Sequence, residues 1–412
     1  MPNVAQDLAA AVGGLLTGQA WLDPYPAYDA IRAHGELVEV DDGFFVAVGF
    51  AVADAVLREP RLLVSDRELA SLTAGFDDEG GSFDAQDRVI GASMLRANPP
   101  DHTRMRRLAA GTFTPRRLES MRETVTDQAT TLVRYLAHLA KRGETFDFVS
   151  EFGYPLPIRV ICALLGVPAR DQHWFREQAT ALTAVLEPAL SAQDVREAVD
   201  ARGRLDLYFT DLIARRRAEP GDDLVTAFAL ARDEDGTSLP TDELLSNLVL
   251  LLVAGFETTT NLLGNGLAVL LGRPDLSQAL RDDPSLAPSF VEEVLRFDSP
   301  VQVTSRWCKD EVPVAGVNLP PYSQVLVLLG GANRDPLRYP DPGVFDPSRE
   351  GRPPLSFGAG GHYCLGAALA RMEAQIAFPL LVRELPRLAL AAPPLRRNRL
   401  TLRGYAELPL VG

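Results

Sequence analysis

Lysine is nearly absent from this sequence of 412 residues, since Lys141 and Lys309 are its only occurrences among 41 basic residues. Acidic residues number 55, and the formal net charge is −14. This balance argues against a nucleic acid as the general partner. The preference for arginine, with abundant Ala, Leu, Gly and Pro, is typical of a GC-rich genome and predicts no particular chemistry.

Cysteine is also scarce. Cys162, Cys308 and Cys364 are far apart and odd in number, so they predict no disulfide framework and fit a reducing cytoplasm. Three thiols cannot form a four-thiolate iron–sulfur or zinc site, and no Cys-x-x-Cys-His motif is present for covalent heme attachment. We therefore expect a cytoplasmic location.

Long apolar runs are missing as well. The most apolar stretch, 248–256, is much shorter than the ~18 residues that span a bilayer, and Glu257 follows it directly. The N-terminus lacks a basic region followed by an apolar core. We expect neither a secretion signal nor a membrane partner.

Helical periodicity dominates what is present. We predict helices at 24–32, 50–58, 101–111, 115–141, 155–165, 171–186, 192–217, 222–232, 241–272 and 287–296. Strands are predicted for a hairpin at 37–40 and 44–48, and around 312–317 and 325–329. Residues 62–95 lack a regular period. The sequence predicts a single, mainly α domain over 1–412 with small β-sheets.

The predicted helix at 241–272 should be central. Thr241 is its candidate N-cap, and at ~1.5 Å per residue its length is roughly 45 Å. Near its middle, Gly255 and three threonines at 258–260 are poor helix formers. We expect the Thr258 hydroxyl to bond back to the Ala254 carbonyl, and Glu257 to place a carboxylate in a dry setting. A polar stripe without a chemical role explains this segment equally well.

A glycine-rich loop ends in the third cysteine. It reads Phe357-Gly358-Ala359-Gly360-Gly361-His362-Tyr363-Cys364, and its glycines permit left-handed and tight conformations. The helical spacing of apolar residues that follows places Cys364 at a helix start, where the helix dipole favours a thiolate. A buried, inert thiol is the alternative, but a loop so rich in glycine favours a ligand or a nucleophile.

Two charged pairs have helical spacing. Glu293 and Arg296 are three residues apart, and His102 and Arg106 are four apart. The first pair alone is most simply a surface ion pair. The second can present two donors to an anion, although a solvated basic face is the commoner explanation.

Taken together, these motifs resemble those of the cytochrome P-450 monooxygenases, of the soluble bacterial type. The glycine loop with Cys364 resembles the heme-binding loop, and Ala254-Gly255-Phe256-Glu257-Thr258 resembles the oxygen-binding groove. Glu293 and Arg296 resemble the Glu-x-x-Arg pair, with Arg349 as the third member of that network. The motifs occur in the family's order, and the match runs over about 101–406. The implied fold is the P-450 fold, with a long central helix over the heme.

The resemblance also implies roles for the site residues. Cys364 would be the thiolate ligand of the iron in heme b (iron protoporphyrin IX). Glu257 and Thr258 would deliver protons through water towards dioxygen. His102, Arg106, Arg306 and His362 match positions that bind the heme propionates. The remaining heme contacts are matched by Ala254, Phe357 and Gly366.

The implied activity is insertion of one oxygen atom from O2 into a largely apolar small molecule, as in bacterial secondary metabolism. We expect no fused redox module, and the resemblance then implies a separate ferredoxin and an NAD(P)H-dependent ferredoxin reductase. A heme-thiolate sensor without turnover and a peroxide-driven oxidase are the alternatives. Glu257 and Thr258 favour the dioxygen-dependent enzyme, since a sensor needs no proton delivery.

The resemblance further predicts two surfaces. The substrate pocket would be lined by residues at 83–94, 250, 253–254, 257, 301–303 and 405–406, with 75–84 as a lid. An acidic ferredoxin would dock on a basic cluster near the thiolate side. Its members are Arg104, Arg107, Arg116 and Arg117.

Overall fold

The computed structural model describes residues 4–65, 87–111, 113–187, 190–232, 236–351 and 353–412. Within these ranges the fold is mainly helical with small sheets. The helices are α1 (Val4–Leu16), α2 (Tyr25–Arg32), α3 (Phe50–Arg58), α4 (Asp101–Ala110), α5 (Pro115–Lys141), α6 (Pro155–Leu165), α7 (Gln172–Thr183), α8 (Ala192–Ala218), α9 (Leu224–Leu230), α10 (Thr241–Gly272), α11 (Pro274–Asp282), α12 (Ala287–Phe297), α13 (Leu329–Ala332) and α14 (Ala367–Glu384).

Twelve short strands are found in the described residues. They are β1 (Leu37–Asp41), β2 (Phe44–Ala47), β3 (Leu62–Leu63), β4 (Phe146–Asp147), β5 (Val303–Cys308), β6 (Val312–Val314), β7 (Val317–Leu319), β8 (Gln324–Leu328), β9 (Ala389–Leu390), β10 (Leu395–Arg396), β11 (Tyr405–Glu407) and β12 (Pro409–Val411). The largest sheet has the order β1-β2-β8-β5-β3, and β10 pairs with β11 in a separate hairpin. The small sheet content agrees with the prediction.

Most predicted elements are present with nearly the predicted limits. The β1–β2 hairpin pairs Leu37 with Ala47 around Gly43, whose φ is +74°. Pro115 opens α5, and the Thr114 side chain caps it by accepting from the Arg117 N–H. Proline in the first turn and a capping hydroxyl before it are the local signals that made this helix predictable.

Several predictions were wrong in detail. Thr241 does not cap α10, because it is already helical and Pro240 occupies the N-cap position without a side-chain bond. The predicted helix at 171–186 ends at Thr183 and continues as a short 3₁₀ turn, Ala184–Leu186. Helices α1, α11 and α13 and strands β4, β5, β9, β10, β11 and β12 were not predicted. The loop predicted at 62–95 contains β3, and residues 66–86 lie outside the described range.

The central helix is buried along most of its length. It has 32 residues and packs closely against α6, because a Cβ on Gly255 would lie 3.0 Å from Ile161 Cδ1. By length and composition α10 is apolar enough to cross a membrane, but 67% of its most apolar window is buried inside the protein, as in a core helix. The position predicted for this helix is therefore correct.

Candidate functional site

The cysteine loop is a tight backbone structure that leaves its sulfur open. Gly358 and Gly360 have φ angles of +69° and +68°, where side chains are rarely tolerated. A Cβ on Gly360 would also lie 2.5 Å from the Leu57 carbonyl oxygen, so this position requires glycine. The Cys364 N–H donates to the Phe357 carbonyl over 2.9 Å and closes the loop. The Cys364 side chain is exposed.

Cys364 lies before the helix and is not its first residue. Helix α14 begins at Ala367 with Gly366 as its N-cap. Cys364 keeps exposed surface, but the protein around its sulfur desolvates the thiolate and raises the pKa of the thiol, although the Gly366 and Ala367 N–H groups and two nearby arginines oppose the shift. The helix start does not by itself lower the pKa of this thiol below its ordinary value. Metal binding displaces the proton of a thiol, so coordination can still provide the thiolate.

Four cationic or imidazole side chains gather beside this loop. The rings of His102 and His362 stack with centroids 3.9 Å apart, and Arg106 donates to the Tyr363 carbonyl. Arg306 on β5 is 5% exposed and donates over 2.8 Å to the Ser305 carbonyl. The structure thus brings together His102, Arg106, Arg306 and His362, as the sequence predicted.

The cluster has no negative partner among the described residues. No acidic side chain in that part of the chain forms an ion pair with Arg106 or Arg306, and His102 Nε2 is buried without a hydrogen-bond partner. Burial lowers the pKa of Arg306 to about 10. Burial, then His102, Arg306 and Arg106, lower the pKa of His362 to about 3, which keeps its ring neutral. Buried cations without a counter-charge are costly, so this cluster fits an anionic ligand.

The middle of α10 combines an open patch with a buried acid. Ala254 is exposed although Val253 and Phe256 beside it are buried. The Thr258 hydroxyl donates to the Ala254 carbonyl over 2.9 Å, which confirms the predicted bond. Glu257 is 1% exposed and forms an ion pair with Arg397. The predicted dry carboxylate is therefore present, with a partner that the sequence did not identify.

Glu257 can exchange a proton near neutral pH. Burial raises its pKa to about 7, Arg399 and Arg176 oppose this shift, and Glu187 adds to it. Burial lowers the pKa of Arg397 to about 10. A carboxyl group that titrates close to pH 7 suits general acid–base chemistry.

Glu293, Arg296 and Arg349 form the predicted network. Arg296 is 2% exposed and donates to both Glu293 oxygens, over 2.6 and 2.7 Å, while Arg349 Nε lies 3.3 Å from Glu293 Oε1. Arg296 also donates to the Asn333, Pro342 and Val344 carbonyls. The interpretation as a surface pair is wrong, because both partners are buried. These contacts join α12 to the segment before the cysteine loop.

The predicted pocket wall is only partly supported. Val301 forms a β-bridge with Leu402, and the Gln302 N–H donates to the Thr401 carbonyl over 3.0 Å. The turn at 397–404 between β10 and β11 therefore lies against the predicted segment 301–303. Tyr405, also predicted for the wall, is 7% exposed and packs beneath Arg396 in the core. Residues 75–84 and 83–86 of the predicted lid and wall lie outside the described range.

The four arginines of the predicted basic cluster have different surroundings. Arg104 binds both oxygens of Glu243, over 2.7 and 2.8 Å, and so joins α4 to α10. Arg117 pairs with Asp222. Arg107 and Arg116 are exposed. The sequence could not show that Arg104 has a structural partner 139 residues away.

Comparisons with known proteins agree with this geometry. The family model described as Cytochrome P450 matches residues 71–389. The 6-deoxyerythronolide B hydroxylase of Saccharopolyspora erythraea is 41% identical over 94% of this chain and 96% of its own length. The vitamin D(3) 25-hydroxylase of Pseudonocardia autotrophica is 37% identical over 96% of this chain and 95% of its own.

Solved structures give the same result. Ligand-free CYP164A2 of Mycobacterium smegmatis superposes with a TM-score of 0.85 at 35% identity, covering 98% of this chain and 100% of that one. P450BioI, solved in complex with an acyl carrier protein ligated to hexadec-9Z-enoic acid, has a TM-score of 0.84 at 32% identity, covering 96% of this chain and 99% of that one. The chain therefore belongs to the cytochrome P450 family and is a monooxygenase of the bacterial type.

Proposed function

We propose that this protein inserts one oxygen atom from O2 into a largely apolar small molecule, by hydroxylation or epoxidation, with heme b held by Cys364. The observation that carries the proposal is the largely buried cluster of two arginines and two histidines, without a negative partner among the described residues, beside the exposed Cys364. A group with two carboxylates and a central metal ion satisfies both features. We infer a single heme-binding domain over 1–412 and a cytoplasmic location, which suits the free thiols.

The residues present fit the heme group. Arg106, Arg306 and the two histidines would hold its propionates, and His102 Nε2 would gain the partner it lacks. Ala254 leaves the open surface on α10 against which a flat ligand could lie, while Phe357 and Gly366 flank Cys364 in the loop. When bound through a cysteine thiolate, heme iron supplies the activation of dioxygen.

Glu257 and Thr258 of α10 would deliver protons through a water molecule. A hydroxyl has one donor and two acceptor positions, and the Thr258 donor is already used on Ala254. Thr258 would therefore hold a water molecule through its free acceptor positions. Glu257, with a pKa of about 7, would supply the proton to that water. Arg397 and the surrounding burial would keep bulk water away from this carboxylate.

The substrate class rests on the surroundings and on the relatives. The residues near the predicted wall, Leu250, Val253 and Val303, are apolar, which suits a ligand with few polar groups. The named relatives act on 6-deoxyerythronolide B and vitamin D(3). We therefore propose a bacterial natural product such as a polyketide or terpenoid.

Electrons would come from a separate ferredoxin and its NAD(P)H-dependent reductase. We propose that an acidic ferredoxin docks near the exposed Arg107 and Arg116. Its attraction to a basic patch raises the association rate at low salt. Replacing both residues by Gln should slow reduction and flatten its salt dependence. Replacing the exposed Arg383 and Arg387 at the far end of α14 is the matched control.

The decisive experiment is spectroscopic. The purified protein, loaded with heme, reduced and treated with carbon monoxide, should show the strongly shifted Soret band of a thiolate ligand, and Cys364→Ala should lack it. A wild-type protein without this band contradicts both enzyme and sensor. NAD(P)H consumption with a surrogate ferredoxin system, on a compound that changes the ferric spin state, then supports the enzyme. Turnover with hydrogen peroxide alone would instead indicate a peroxide-driven oxidase.

A further inference from the structure

The buried carboxylate of Glu187 holds the turn of the C-terminal hairpin. Glu187 follows the 3₁₀ turn at the end of α7 and is 4% exposed. Its oxygens accept the N–H groups of Leu400 and Thr401 over 2.9 Å each and of Leu402 over 3.2 Å. Three backbone donors on one buried carboxylate form a strong, charge-assisted contact.

Further bonds join the same two segments. The Thr401 hydroxyl donates to the Leu186 carbonyl over 2.8 Å, and Arg399 donates to the Thr183 hydroxyl over 3.1 Å. Burial raises the pKa of Glu187 above its ordinary value, although the three N–H groups and Arg399 oppose the shift. The end of α7 is thus fastened to the hairpin turn at 397–404.

This turn also carries the partner of Glu257. Arg397 is the first residue after β10, and its guanidinium pairs with Glu257 and donates to the Tyr154 hydroxyl. At the base of the hairpin, Asp298 binds Arg396 and Arg403 over 2.7 Å each. The hairpin is therefore held at its base by Asp298 and at its turn by Glu187, with Arg397 between them.

We propose that Glu187 is a positioning residue for Glu257: by holding the hairpin turn, it keeps Arg397 against the Glu257 carboxylate. Displacement of the α7 end from the turn then releases the ion pair and changes the protonation of Glu257. The role rests on the proposed function, in which Glu257 supplies protons. Through the hairpin turn and Arg397, Glu187 connects the end of α7 and the predicted pocket segment at 301–303 to Glu257.

The direction in which Glu187→Gln shifts the pKa of Glu257 distinguishes a positioning role of Glu187 from a direct effect of its charge. The charged groups that affect Glu257 are Arg397 and Arg399 of the hairpin, Arg176 of α7 and Glu187 itself. If Glu187 acts only through its charge, Glu187→Gln lowers the pKa of Glu257, because one nearby negative charge is removed. If Glu187 positions Arg397, the same change raises that pKa, because the adjacent cation moves away.

Glu187→Gln tests the contact with little change in size. The amide NH2 cannot accept, so at least one of the three N–H groups faces another donor. The ionisation of Glu257 is read in the ferric, heme-loaded protein by infrared titration of its carboxyl band, identified by subtraction of the Glu257→Gln spectrum. Arg397→Gln provides the reference for a lost ion pair. Glu384→Gln, at an exposed glutamate that pairs with Arg383, is the matched control.

We expect the midpoint of the Glu257 titration to rise by about one pH unit or more in Arg397→Gln, and in the same direction in Glu187→Gln. Glu384→Gln should match the wild type. A lower or unchanged midpoint in Glu187→Gln overturns the proposal, as does an unchanged midpoint in Arg397→Gln. Circular dichroism shows whether each variant is folded. The titration involves no turnover, so its result is independent of whether Glu257 delivers protons during catalysis.

Discussion

The Thr258 hydroxyl donates to the carbonyl oxygen of Ala254, one helical turn earlier, over 2.9 Å. This bond fixes the direction of the hydroxyl and leaves its acceptor positions open to water. Removal of the hydroxyl in Thr258→Ala should leave heme binding intact and remove the water position. Since a positioned proton donor contributes about 10²–10⁴-fold, we expect product formed per electron pair to fall at least about tenfold.

The neighbouring Thr259 provides the control. It is 2% exposed, and its hydroxyl donates to the Gly255 carbonyl over 3.3 Å, so Thr259→Ala removes a similar bond from the buried face of α10. NAD(P)H consumption, hydrogen peroxide release and product are measured together in each variant. Full coupling in Thr258→Ala shows that the proton-delivery role is wrong, although the family assignment remains.

Arg306 should contribute to heme retention without stabilising the heme-free protein. Its guanidinium is buried without a carboxylate partner among the described residues, and burial lowers its pKa to about 10. A hydrogen bond to a charged group contributes about 1.5–3 kcal/mol, so Arg306→Gln should increase the heme dissociation rate roughly 10–100-fold. The heme-free variant should unfold at the same or a higher denaturant concentration.

Heme transfer to apomyoglobin measures the heme dissociation rate. Denaturant unfolding of the heme-free wild type and the heme-free Arg306→Gln variant measures their stability. Arg383→Gln is the control, since this exposed arginine pairs with Glu384 at the far end of α14. Loss of apoprotein stability in Arg306→Gln, together with unchanged heme dissociation, would mean that Arg306 has a structural role and binds no propionate.

Local sequence patterns predicted much of the fold and of the site. Pro115 and the helical periodicity set α5, and the glycines before Cys364 indicated the tight loop. The bond from Thr258 to Ala254 follows from the four-residue spacing within one helix. Helix α11, by contrast, directly follows α10 at Pro274, and a proline in this position indicates the end of one helix as readily as the start of the next.

Contacts between distant segments were not predictable from local patterns. Arg397 meets Glu257, and Glu187 meets Leu400, only because the C-terminal hairpin folds back onto α10 and the end of α7. Arg104 likewise belongs by local spacing to the predicted docking cluster, but it pairs with Glu243 of the distant α10. Burial is also set by the whole fold. Around the exposed Cys364, for example, neighbouring protein desolvates the thiolate and raises the pKa of the thiol despite the nearby helix N-terminus.

Glu293 should be far more important for stability than its neighbour Glu292. Glu293 is 4% exposed and neutralises Arg296, which is also buried. Breaking a buried ion pair by removing one partner costs about 3–5 kcal/mol, because the other charge stays buried. We expect Glu293→Gln to lose about this much free energy of unfolding, measured by denaturant titration.

Glu292→Gln is the matched control on the same helix. Glu292 pairs with Arg371, but the side chains are 35% and 20% exposed, and such pairs contribute about 0–1 kcal/mol. Equal losses in the two variants would contradict the idea that burial makes the Glu293 pair dominant.

Asp298 should make the protein sensitive to acid. Burial alone raises its pKa, but Arg396 and Arg403 outweigh burial and lower it to about 2. Because this pKa is below the value of about 3.9 in an unfolded chain, the ionised carboxylate contributes stability above pH ~4 and loses it as the pH falls towards 2. The contribution is about 2.5 kcal/mol at neutral pH, from a shift of nearly two pH units at about 1.36 kcal/mol per unit.

Asp298→Asn should therefore be less stable than the wild type at pH 7 by at least about 2.5 kcal/mol, since it also leaves the buried Arg403 and the half-buried Arg396 without their carboxylate. The difference should shrink between pH ~4 and the lowest pH at which both proteins still fold. Urea unfolding of both proteins at a series of pH values measures this difference in the free energy of unfolding. Asp275→Asn is the control, because Asp275 pairs with Arg273 on the surface, where both side chains are largely exposed. A stability difference that stays constant down to pH 3 would show that ionised Asp298 does not provide this stability.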